Sequence, residues 1–484
     1  MPSDIQSKPN MITIKQHTNK LKAQAHIVLF EKTSSIPNAL LNPIIKSKLK
    51  SAEIKKTVST FDGTTLFAYQ LCENIHEWKN REQVRKNAAS LANTIKANEL
   101  TEVVIHDFCI NSNATKACCE GFVLGQYNFD KYKTEKKNKK SKEIALYVSS
   151  KNISATEIKE WNIVLEAVGK TRDLVNEPNS YLTAPKLSEE FEKMGKIAGF
   201  QIEVWNEAKI RAQKMGGLLG VNSGSTIPPT FNIMEWKPKN AKNKKPIVLI
   251  GKGVVYDTGG MSLKPTANSM DYMKCDMAGA AAVGGILYAA ATAKFPLHII
   301  GLVPATDNRP GEDAIVPGDI ITMYSGNTVE VKNTDAEGRL ILADALHYAK
   351  KLNPELVIDF ATLTGAAVRA IGNYASAMMG TASKKVFDKI EQQGYDTFER
   401  VIYFPLWDEY GDELKSEIAD FSNLGKGEGG QMSAGKFLEK FTDYPWIHLD
   451  IAGTAFVHSN TDYRPAGGTG VGVRLIFEYL KTLI

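Results

Sequence analysis

The feature that most constrains the fold is a regular alternation of buried-strand and helical patterns from about residue 175 onward. Residues 297–302 and 356–360 are short apolar runs of the length of a buried strand. Residues 276–291 and 338–351, which precede these runs, have the length and apolar spacing of helices. Such alternation is typical of a mostly parallel sheet flanked by helices. Ligands bind beyond the carboxyl ends of the strands in such sheets, so polar residues at those ends are candidates for function.

The 484 residues are enough for two or three domains. Residues 1–155 combine a helical pattern with strand-like runs at 25–30, 102–105 and 144–148. The sequence therefore predicts a small N-terminal α/β domain, a connecting helix at 156–174, and a larger C-terminal catalytic domain at 175–484.

Two carboxylates stand two residues apart in the segment 333–340, which reads Asn-Thr-Asp-Ala-Glu-Gly-Arg-Leu. The segment follows a β-like run, and side chains at positions i and i+2 of an extended strand point the same way. Asp335 and Glu337 are therefore expected to converge on one point. Two facing carboxylates repel each other, and a bound divalent cation removes that penalty. Arg339 follows at the start of a predicted helix, where free N–H groups favour an anion.

A second group of charged residues follows the buried-strand pattern at 247–251. Lys252 and Asp257 lie in the glycine-rich stretch after it, and Lys264 and Asp276 come next. With the first pair this makes four carboxylates, more than one divalent ion needs for neutrality. Four carboxylates suit a pair of ions that share an activated water molecule. Hard oxygen ligands favour Mg or Mn, and Zn also accepts carboxylates.

Each carboxylate also has an ordinary structural interpretation. Asp257 can cap a turn, Asp276 can cap the following helix, and Glu337 can be a solvated surface residue. The position of the whole set at strand ends and helix starts favours the metal interpretation.

Six segments, in order along the chain, resemble the leucyl aminopeptidase family, the cytosol aminopeptidases with two metals per subunit. The most specific is 333–340, and the others are 172–176, 251–265, 276–281, 361–366 and 448–454. The resemblance covers residues 170–484 closely and the N-terminal third loosely. It implies a metal-dependent aminopeptidase that releases N-terminal Leu and other apolar residues from peptides with a free N-terminus. It also implies a cytoplasmic homohexamer.

The resemblance also implies roles for individual residues. The implied metal ligands are Lys252, Asp257, Asp276, Asp335 and Glu337. Asp257 and Glu337 are placed between the two ions, which would be Mn or Zn, with Mg as a further candidate. Lys252 must bind as a neutral amine, which requires a pKa several units below about 10.4. The two catalytic residues are Lys264, a charged donor to the developing oxyanion, and Arg339, which holds a bicarbonate that acts as general base.

The substrate pocket is also taken from the resemblance. The residues that match its positions are Met273, Asn333, Thr362, Leu363, Gly365 and Ala455. Leu363 offers a backbone carbonyl, and a Met beside small residues suits a medium apolar side chain. Core packing accounts for Met273 almost equally well.

Composition limits the other function classes. No apolar run approaches the roughly 20 residues of a membrane helix, so no membrane partner is expected. Residues 1–8 lack the pattern of a secretory signal. The five cysteines are odd in number and never spaced Cys-x-x-Cys, which favours reduced thiols in a cytoplasmic protein.

Lysines crowd residues 131–142 and 237–245, each between β-like segments. A solvated hairpin tip is the ordinary interpretation of such a run. An alternative function is a DNA-binding regulatory protein that uses these Lys-rich hairpins, alone or in addition to peptidase activity. A two-metal phosphoesterase is a weaker rival because the eight histidines lie outside the charged clusters. A dinucleotide enzyme is also weak because the third glycine of its motif is missing after Gly253.

Overall fold

The computed structural model describes residues 12–18, 23–41, 49, 57–134 and 143–484. By its contacts the chain divides into two compact units. The first contains Met1–Gly169 and Ser459–Ala466, and the second contains Lys170–His458 and Gly467–Ile484. The predicted lack of a secretory signal concerns residues that lie outside the described ones.

A six-stranded sheet forms the centre of the first unit. Its strands are β1 (Ile14–Gln16), β2 (Ala25–Phe30), β3 (Val58–Phe61), β4 (Leu66–Leu71), β5 (Glu102–Phe108) and β6 (Ala145–Ser149). Their order is β1-β6-β5-β2-β4-β3, and all neighbours are parallel except β3 and β4. Two helices, α1 (Trp78–Ala97) and α2 (Asn113–Gly125), pack against each other. The predicted small α/β domain is confirmed.

The helix predicted at 156–174 is α3, Ala155–Asn176. The boundary between the two units falls inside this helix, after Gly169. Residues 459–466 belong to the first unit, although the sequence prediction placed them in the C-terminal domain. The Tyr463 hydroxyl donates a hydrogen bond to Glu82 at 2.9 Å, which helps to explain their place there.

The second unit contains the remaining strands. They are β7 (Gln201–Trp205), β8 (Thr230–Trp236), β9 (Ile247–Gly251), β10 (Gly253–Asp257), β11 (Ile299–Asn308), β12 (Ile320–Thr322), β13 (Thr328–Glu330), β14 (Leu356–Ala361), β15 (Ser376–Gly380), β16 (Val401–Tyr403), β17 (Phe421–Ser422), β18 (Trp446–Asp450), β19 (Phe456–Val457) and β20 (Gly467–Gly468). The large sheet has the order β16-β15-β18-β14-β9-β11-β8-β7, and β10 also pairs with β11. Its centre, from β18 to β11, is parallel. Two small sheets, β12-β13-β17 and β19-β20, complete the unit.

Helices cover this sheet. They are α4 (Ala184–Ala198), α5 (Glu207–Ala212), α6 (Gly216–Asn222), α7 (Ala278–Thr292), α8 (Gly338–Ala349), α9 (Gly365–Ile371), α10 (Lys384–Thr397), α11 (Asp408–Asp412), α12 (Gly430–Glu439) and α13 (Val473–Lys481). Short 3₁₀ turns occur at Thr33–Ser35, Asn38–Leu40, Met270–Cys275 and Lys350–Leu352. Helix α7 packs with α4 and α13, and α8 packs with α6 and α12, while both contact β9. The predicted α/β class with a mostly parallel central sheet flanked by helices is confirmed.

Small residues bring α7 unusually close to the sheet. A Cβ at Gly279 would lie 2.1 Å from the Phe360 carbonyl oxygen, and one at Gly251 would lie 2.6 Å from the Gly279 carbonyl oxygen. Only glycine permits this approach. The Ala280 amide then donates to the Lys252 carbonyl at 3.0 Å. The helix and the end of β9 are therefore locked together next to Lys252.

One stretch, Met270–Thr292, is long and apolar enough to span a membrane by length and composition alone. It consists of a 3₁₀ turn and α7, and 94% of its apolar window is buried inside the protein. Burial in the core accounts for its composition. All five cysteines are free and buried, as the reduced-thiol prediction requires.

The Lys-rich segment 237–245 is not a hairpin tip, which corrects the sequence prediction, whereas most of the segment 131–142 lies outside the described residues. Residues 237–245 connect β8 to β9, and these strands are separated in the sheet by β11. Of residues 131–142, only the first four are described, and the preceding element is helix α2 and not a strand.

Candidate metal centre

Lys252, Asp257 and Thr362 lie at the carboxyl ends of three strands of the large sheet. β9 ends directly before Lys252, β10 ends at Asp257, and β14 ends directly before Thr362. The Lys252 amide donates to the Phe360 carbonyl at 3.0 Å, so the ends of β9 and β14 stay together. These side chains occupy the edge at which α/β sheets bind ligands.

Asp335 and Glu337 converge, but through a different geometry from the predicted one. β13 ends at Glu330, and Asp335 lies in a turn in which the Ala336 amide donates to the Asn333 carbonyl at 3.2 Å. Glu337 has helical angles (φ −74°, ψ −37°) directly before α8. The expected extended arrangement is wrong because a turn and a helix start replace the strand.

Lys252 bridges two carboxylates, and we call Asp276, Lys252 and Glu337 the inner triad. The Lys252 Nζ lies 2.9 Å from Asp276 Oδ2 and 2.7 Å from Glu337 Oε1. All three side chains are at most 5% exposed. Burial lowers the pKa of Lys252, but the surrounding carboxylates outweigh it and hold that pKa above its ordinary value. Burial raises the pKa of Asp276 well above its usual range.

Lys264 bridges a second pair, and we call Asp257, Lys264 and Asp335 the outer triad. The Lys264 Nζ lies 2.8 Å from Asp257 Oδ2 and also contacts Asp335 Oδ1. Lys264 is 13% exposed and Asp335 33% exposed, so this triad is more open than the inner one. Burial, followed by repulsion from Asp257 and Glu337, raises the pKa of Asp335 to about 7.

The expected neutral Lys252 is not produced by the protein groups alone. Its carboxylate neighbours raise its pKa, so the ammonium form is favoured among them. A neutral amine at this position therefore requires the charge of a bound cation.

The residues present fit a divalent cation. One oxygen each of Asp257, Asp335 and Glu337 lies within 4.8 Å of the other two. Glu337 Oε2 is buried and has no hydrogen-bond partner among the described residues. Glu337 Oε1 and Asp276 Oδ2 meet the Lys252 ammonium at ion-pair distance. Buried carboxylate oxygens without donors are what a hard cation satisfies.

The loop after β14 joins this cluster to β18. The Lys252 ammonium donates to the Thr362 carbonyl at 3.0 Å, and the Thr362 hydroxyl donates to Asp276 Oδ1 at 2.7 Å. Asp450, the last residue of β18, accepts the Leu363 amide at 3.1 Å and the Thr364 hydroxyl at 2.7 Å. Asp450 therefore fixes the loop that supports the inner triad.

Arg339 lies in the first turn of α8 and is 6% exposed. One guanidinium nitrogen donates to the Asn423 carbonyl at 2.7 Å, while Nε has no partner among the described residues. Burial lowers the pKa of Arg339 to about 10, so it stays charged at neutral pH. A buried cation with a free donor can accept a small anion.

The predicted pocket residues are connected to the cluster to different degrees. Asn333 Oδ1 accepts the Asp335 amide at 2.7 Å, and Thr362 and Leu363 belong to the supporting loop. Met273 contributes its carbonyl to the Asp276 amide at 3.3 Å. Gly365 begins α9, and Ala455 is buried between β18 and β19. The structure does not join Gly365 or Ala455 to either triad through a described contact.

Sequence reasoning missed three supporting residues. Asn308 donates to Asp257 Oδ1 at 2.9 Å, and Asp450 holds the Leu363 amide. Both end strands, so the strand-end rule could have identified them. Asn423 fixes both Arg339 and the Asn333 carbonyl, the latter at 2.8 Å. It comes from a distant loop, and no sequence signal marks it.

Two family models match most of the described chain. The family model described as cytosol aminopeptidase family, catalytic domain, matches residues 170–477. The model for the N-terminal domain of the same family matches residues 73–136.

Curated relatives are similar over most of the chain. A probable cytosol aminopeptidase of Chlorobaculum tepidum is 47% identical over 75% of this chain and 74% of its own length. One from Chloroherpeton thalassium is 40% identical over 92% of this chain and 94% of its own length. Among solved structures, the bottromycin maturation enzyme BotP in complex with Mn has a TM-score of 0.84 and 27% identity. That match covers 96% of this chain and all of BotP.

Proposed function

Since this chain belongs to the cytosol aminopeptidase family, a family of metal-dependent peptidases, we propose that it releases N-terminal residues from peptides by a two-metal mechanism. Leu and other apolar residues are the proposed preference. The observation that carries the proposal is the joining of four carboxylates and two lysines into one cluster at the carboxyl edge of the sheet.

The proposed ligands divide along the two triads. Lys252 and Asp276 would hold one ion and Asp335 the other, with Asp257 and Glu337 placed between them. When bound, the ions supply an acidic shared water and a ligand position for the free α-amino group of the substrate. That position accounts for exopeptidase action, because an internal peptide bond has no free amine.

The proposed ions are Mn or Zn, with Mg as a further candidate. Oxygen ligands favour Mn and Mg, and the proposed amine ligand Lys252 also suits Zn. The solved structure of BotP is in complex with Mn, which supports Mn for this chain as well.

Two cationic side chains, Lys264 and Arg339, have proposed roles in the reaction. In the metal-free protein, neighbouring carboxylates raise the pKa of Lys264 against the effect of burial. Lys264 is the proposed donor to the oxyanion that develops on the scissile carbonyl. Arg339 is the residue that would hold a bicarbonate, which would supply a general base. A base from outside the protein is reasonable because the four carboxylates of the cluster are all proposed metal ligands.

The proposed side-chain pocket consists of the loop after β14 and its surroundings. Asn333, Thr362 and Leu363 contact the cluster or its support, as described above, and the Leu363 carbonyl is the proposed acceptor of a hydrogen bond from the substrate. Met273, Gly365 and Ala455 remain pocket proposals from the family resemblance. We further propose a cytoplasmic homohexamer, and a solution mass near the 53.3 kDa of one chain would contradict it.

The test is hydrolysis of leucine p-nitroanilide after chelation and again after Mn or Zn is added back. N-acetyl-leucine p-nitroanilide is the matched control, since it lacks only the free amine. Metal-restored cleavage of the free-amine substrate alone is expected. Absence of cleavage with either metal, or equal cleavage of both substrates, would overturn the proposal.

DNA binding is a second proposal, carried by the exposed lysines of residues 237–245. The lysines of this segment are Lys237, Lys239, Lys242, Lys244 and Lys245. No ion pair to these lysines is found within the described part of the chain. Retention on duplex DNA that falls steeply with salt and is lost when these lysines become glutamine would support it. Salt-independent retention, or none, would remove it.

A further inference from the structure

Three of the eight histidines meet on the sheet of the first unit, far in sequence from the carboxylate cluster. They are His17, directly after β1, His26 in β2 and His106 in β5. We call them the histidine cluster. Strands β2 and β5 are neighbours in the sheet, and β1 reaches β5 through β6.

Two of the rings already touch through their nitrogens. His26 Nδ1 lies 2.9 Å from His106 Nε2, and the ring centres are 5.2 Å apart. Two imidazole nitrogens bound to one tetrahedral zinc at about 2.05 Å each lie about 3.3 Å apart. To bind one ion, the two nitrogens must therefore separate by a few tenths of an ångström, and the proton between them must move to the other nitrogen of its own ring.

His17 is the third member. Its ring centre lies 6.3 Å from that of His106, at an interplanar angle of 63°. Rings on one tetrahedral ion have centres about 5 Å apart. The three histidines do not yet bring one nitrogen each within 4.8 Å of one another, so the His17 ring has to turn toward the other two. It follows the last residue of β1 and is only partly buried, so rotation of its side chain provides that movement.

The surroundings favour neutral imidazoles, which are the form that binds metal. Burial lowers the pKa of His106 to about 4, and the charges of His26 and His17 add to the effect. Burial also lowers the pKa of His26, against a hydrogen bond with the Ala23 backbone. Phe67 stacks on the His26 ring at 4.8 Å and 10°, which fixes its orientation. A backbone partner and a packed ring are typical supports of metal-binding histidines.

We propose that His17, His26 and His106 bind one borderline transition-metal ion, with Zn²⁺ as the preferred ion, at a site separate from the carboxylate cluster. Imidazole ligands suit Zn, Cu and Ni, whereas the carboxylate cluster suits harder ions. Three protein ligands leave a fourth position for water. The proposal does not depend on the peptidase function.

The test is a zinc count on the full chain, first loaded with Mn and then equilibrated at a buffered micromolar concentration of free Zn²⁺. The variants are His26→Gln, His106→Gln and His17→Gln, and His76→Gln is the control. His76 is an exposed histidine of the same unit, outside the cluster. Zinc that exchanges into the carboxylate cluster is common to all variants, so it cancels in the comparison.

The wild type and His76→Gln are expected to hold one more zinc per chain than His26→Gln and His106→Gln. His17→Gln is expected to weaken zinc binding by about a hundredfold. Equal zinc content in all five proteins overturns the site, and unchanged binding in His17→Gln overturns the three-histidine assignment. If partly buried His106→Gln fails to fold, as circular dichroism would reveal, His26→Gln and His17→Gln still decide the question.

Discussion

The inner and outer triads are built from the same residue types but differ in their access to water. Each is a lysine between two carboxylates. The inner triad is at most 5% exposed, whereas Asp335 of the outer triad is 33% exposed. Charges in the inner triad must be balanced for the fold to hold, because an uncompensated buried charge is costly. Charges in the outer triad are partly balanced by solvent, so they are available for chemistry with less effect on stability.

The largest expected effect is a loss of activity when a carboxylate of the outer triad is removed. Asp335→Ala removes a proposed metal ligand, and kcat/KM should fall by about a thousandfold or more, roughly 4 kcal/mol of activation free energy. The free energy of unfolding should change little, because the residue is partly exposed and repelled by Asp257 and Glu337. Steady-state kinetics and urea unfolding measure the two quantities.

Asp313→Ala is the control for Asp335→Ala, since Asp313 is an exposed aspartate of the same unit. It should leave both activity and stability unchanged. Full turnover of Asp335→Ala with Mn present would remove the two-metal account.

The two lysines provide the sharpest test of the difference in burial. In chelated protein, Lys252→Met should lower the free energy of unfolding by about 3–5 kcal/mol, because it leaves Asp276 and Glu337 buried without a cation. Lys264→Met should cost less, since Asp335 reaches solvent and the buried Asp257 keeps hydrogen bonds from the Gly259 amide and the Asn308 side chain. With Mn present, Lys264→Met should still lose about a hundredfold or more in kcat as an oxyanion donor.

Denaturant unfolding with and without Mn separates these effects. Added Mn should restore much of the stability of Lys252→Met, because the ion replaces the missing positive charge. Equal destabilisation by the two lysine variants would mean that burial does not distinguish the triads.

The strand-end residues were predictable because alternating strands and helices define a sheet edge before any contact is known. Lys252 and Asp257 follow that rule, and Asn308 and Asp450 follow it too although they were overlooked. Asp335 and Glu337 were expected from a strand that ends five residues earlier, at Glu330. The turn and helix start that bring them together depend on contacts with other segments, such as the Asn423 amide on the Asn333 carbonyl. Contacts of this kind join distant parts of the chain, and local pattern does not encode them.

Asp450 links the inner triad to the rest of the sheet and should have a moderate effect. Asp450→Ala removes the acceptor for the Leu363 amide and the Thr364 hydroxyl, so the loop that carries Thr362 loses its position. We expect kcat to fall about tenfold to a hundredfold, the range for supports of metal ligands. Asp450→Asn keeps an acceptor for Leu363 and should recover most of the rate. If the alanine and asparagine variants are equally impaired, Asp450 does not act through this loop.

The smallest expected effect is the pH dependence of stability that Asp335 of the outer triad contributes. The pKa of Asp335 is raised to about 7 among the protein groups, mainly by burial. A carboxyl whose folded-state pKa is raised contributes stability below its unfolded pKa, about 4, and that contribution is lost as pH rises through 7. Chelated wild type should therefore lose stability relative to Asp335→Asn between pH 5 and 8, by no more than about 1 kcal/mol after solvent screening. Urea unfolding at one-unit intervals measures this difference, and bound Mn should abolish it by replacing the proton. The prediction is contradicted if the wild type instead gains stability relative to Asp335→Asn over this range. That result would mean that the pKa of Asp335 is low, and exposure would then not distinguish the two triads.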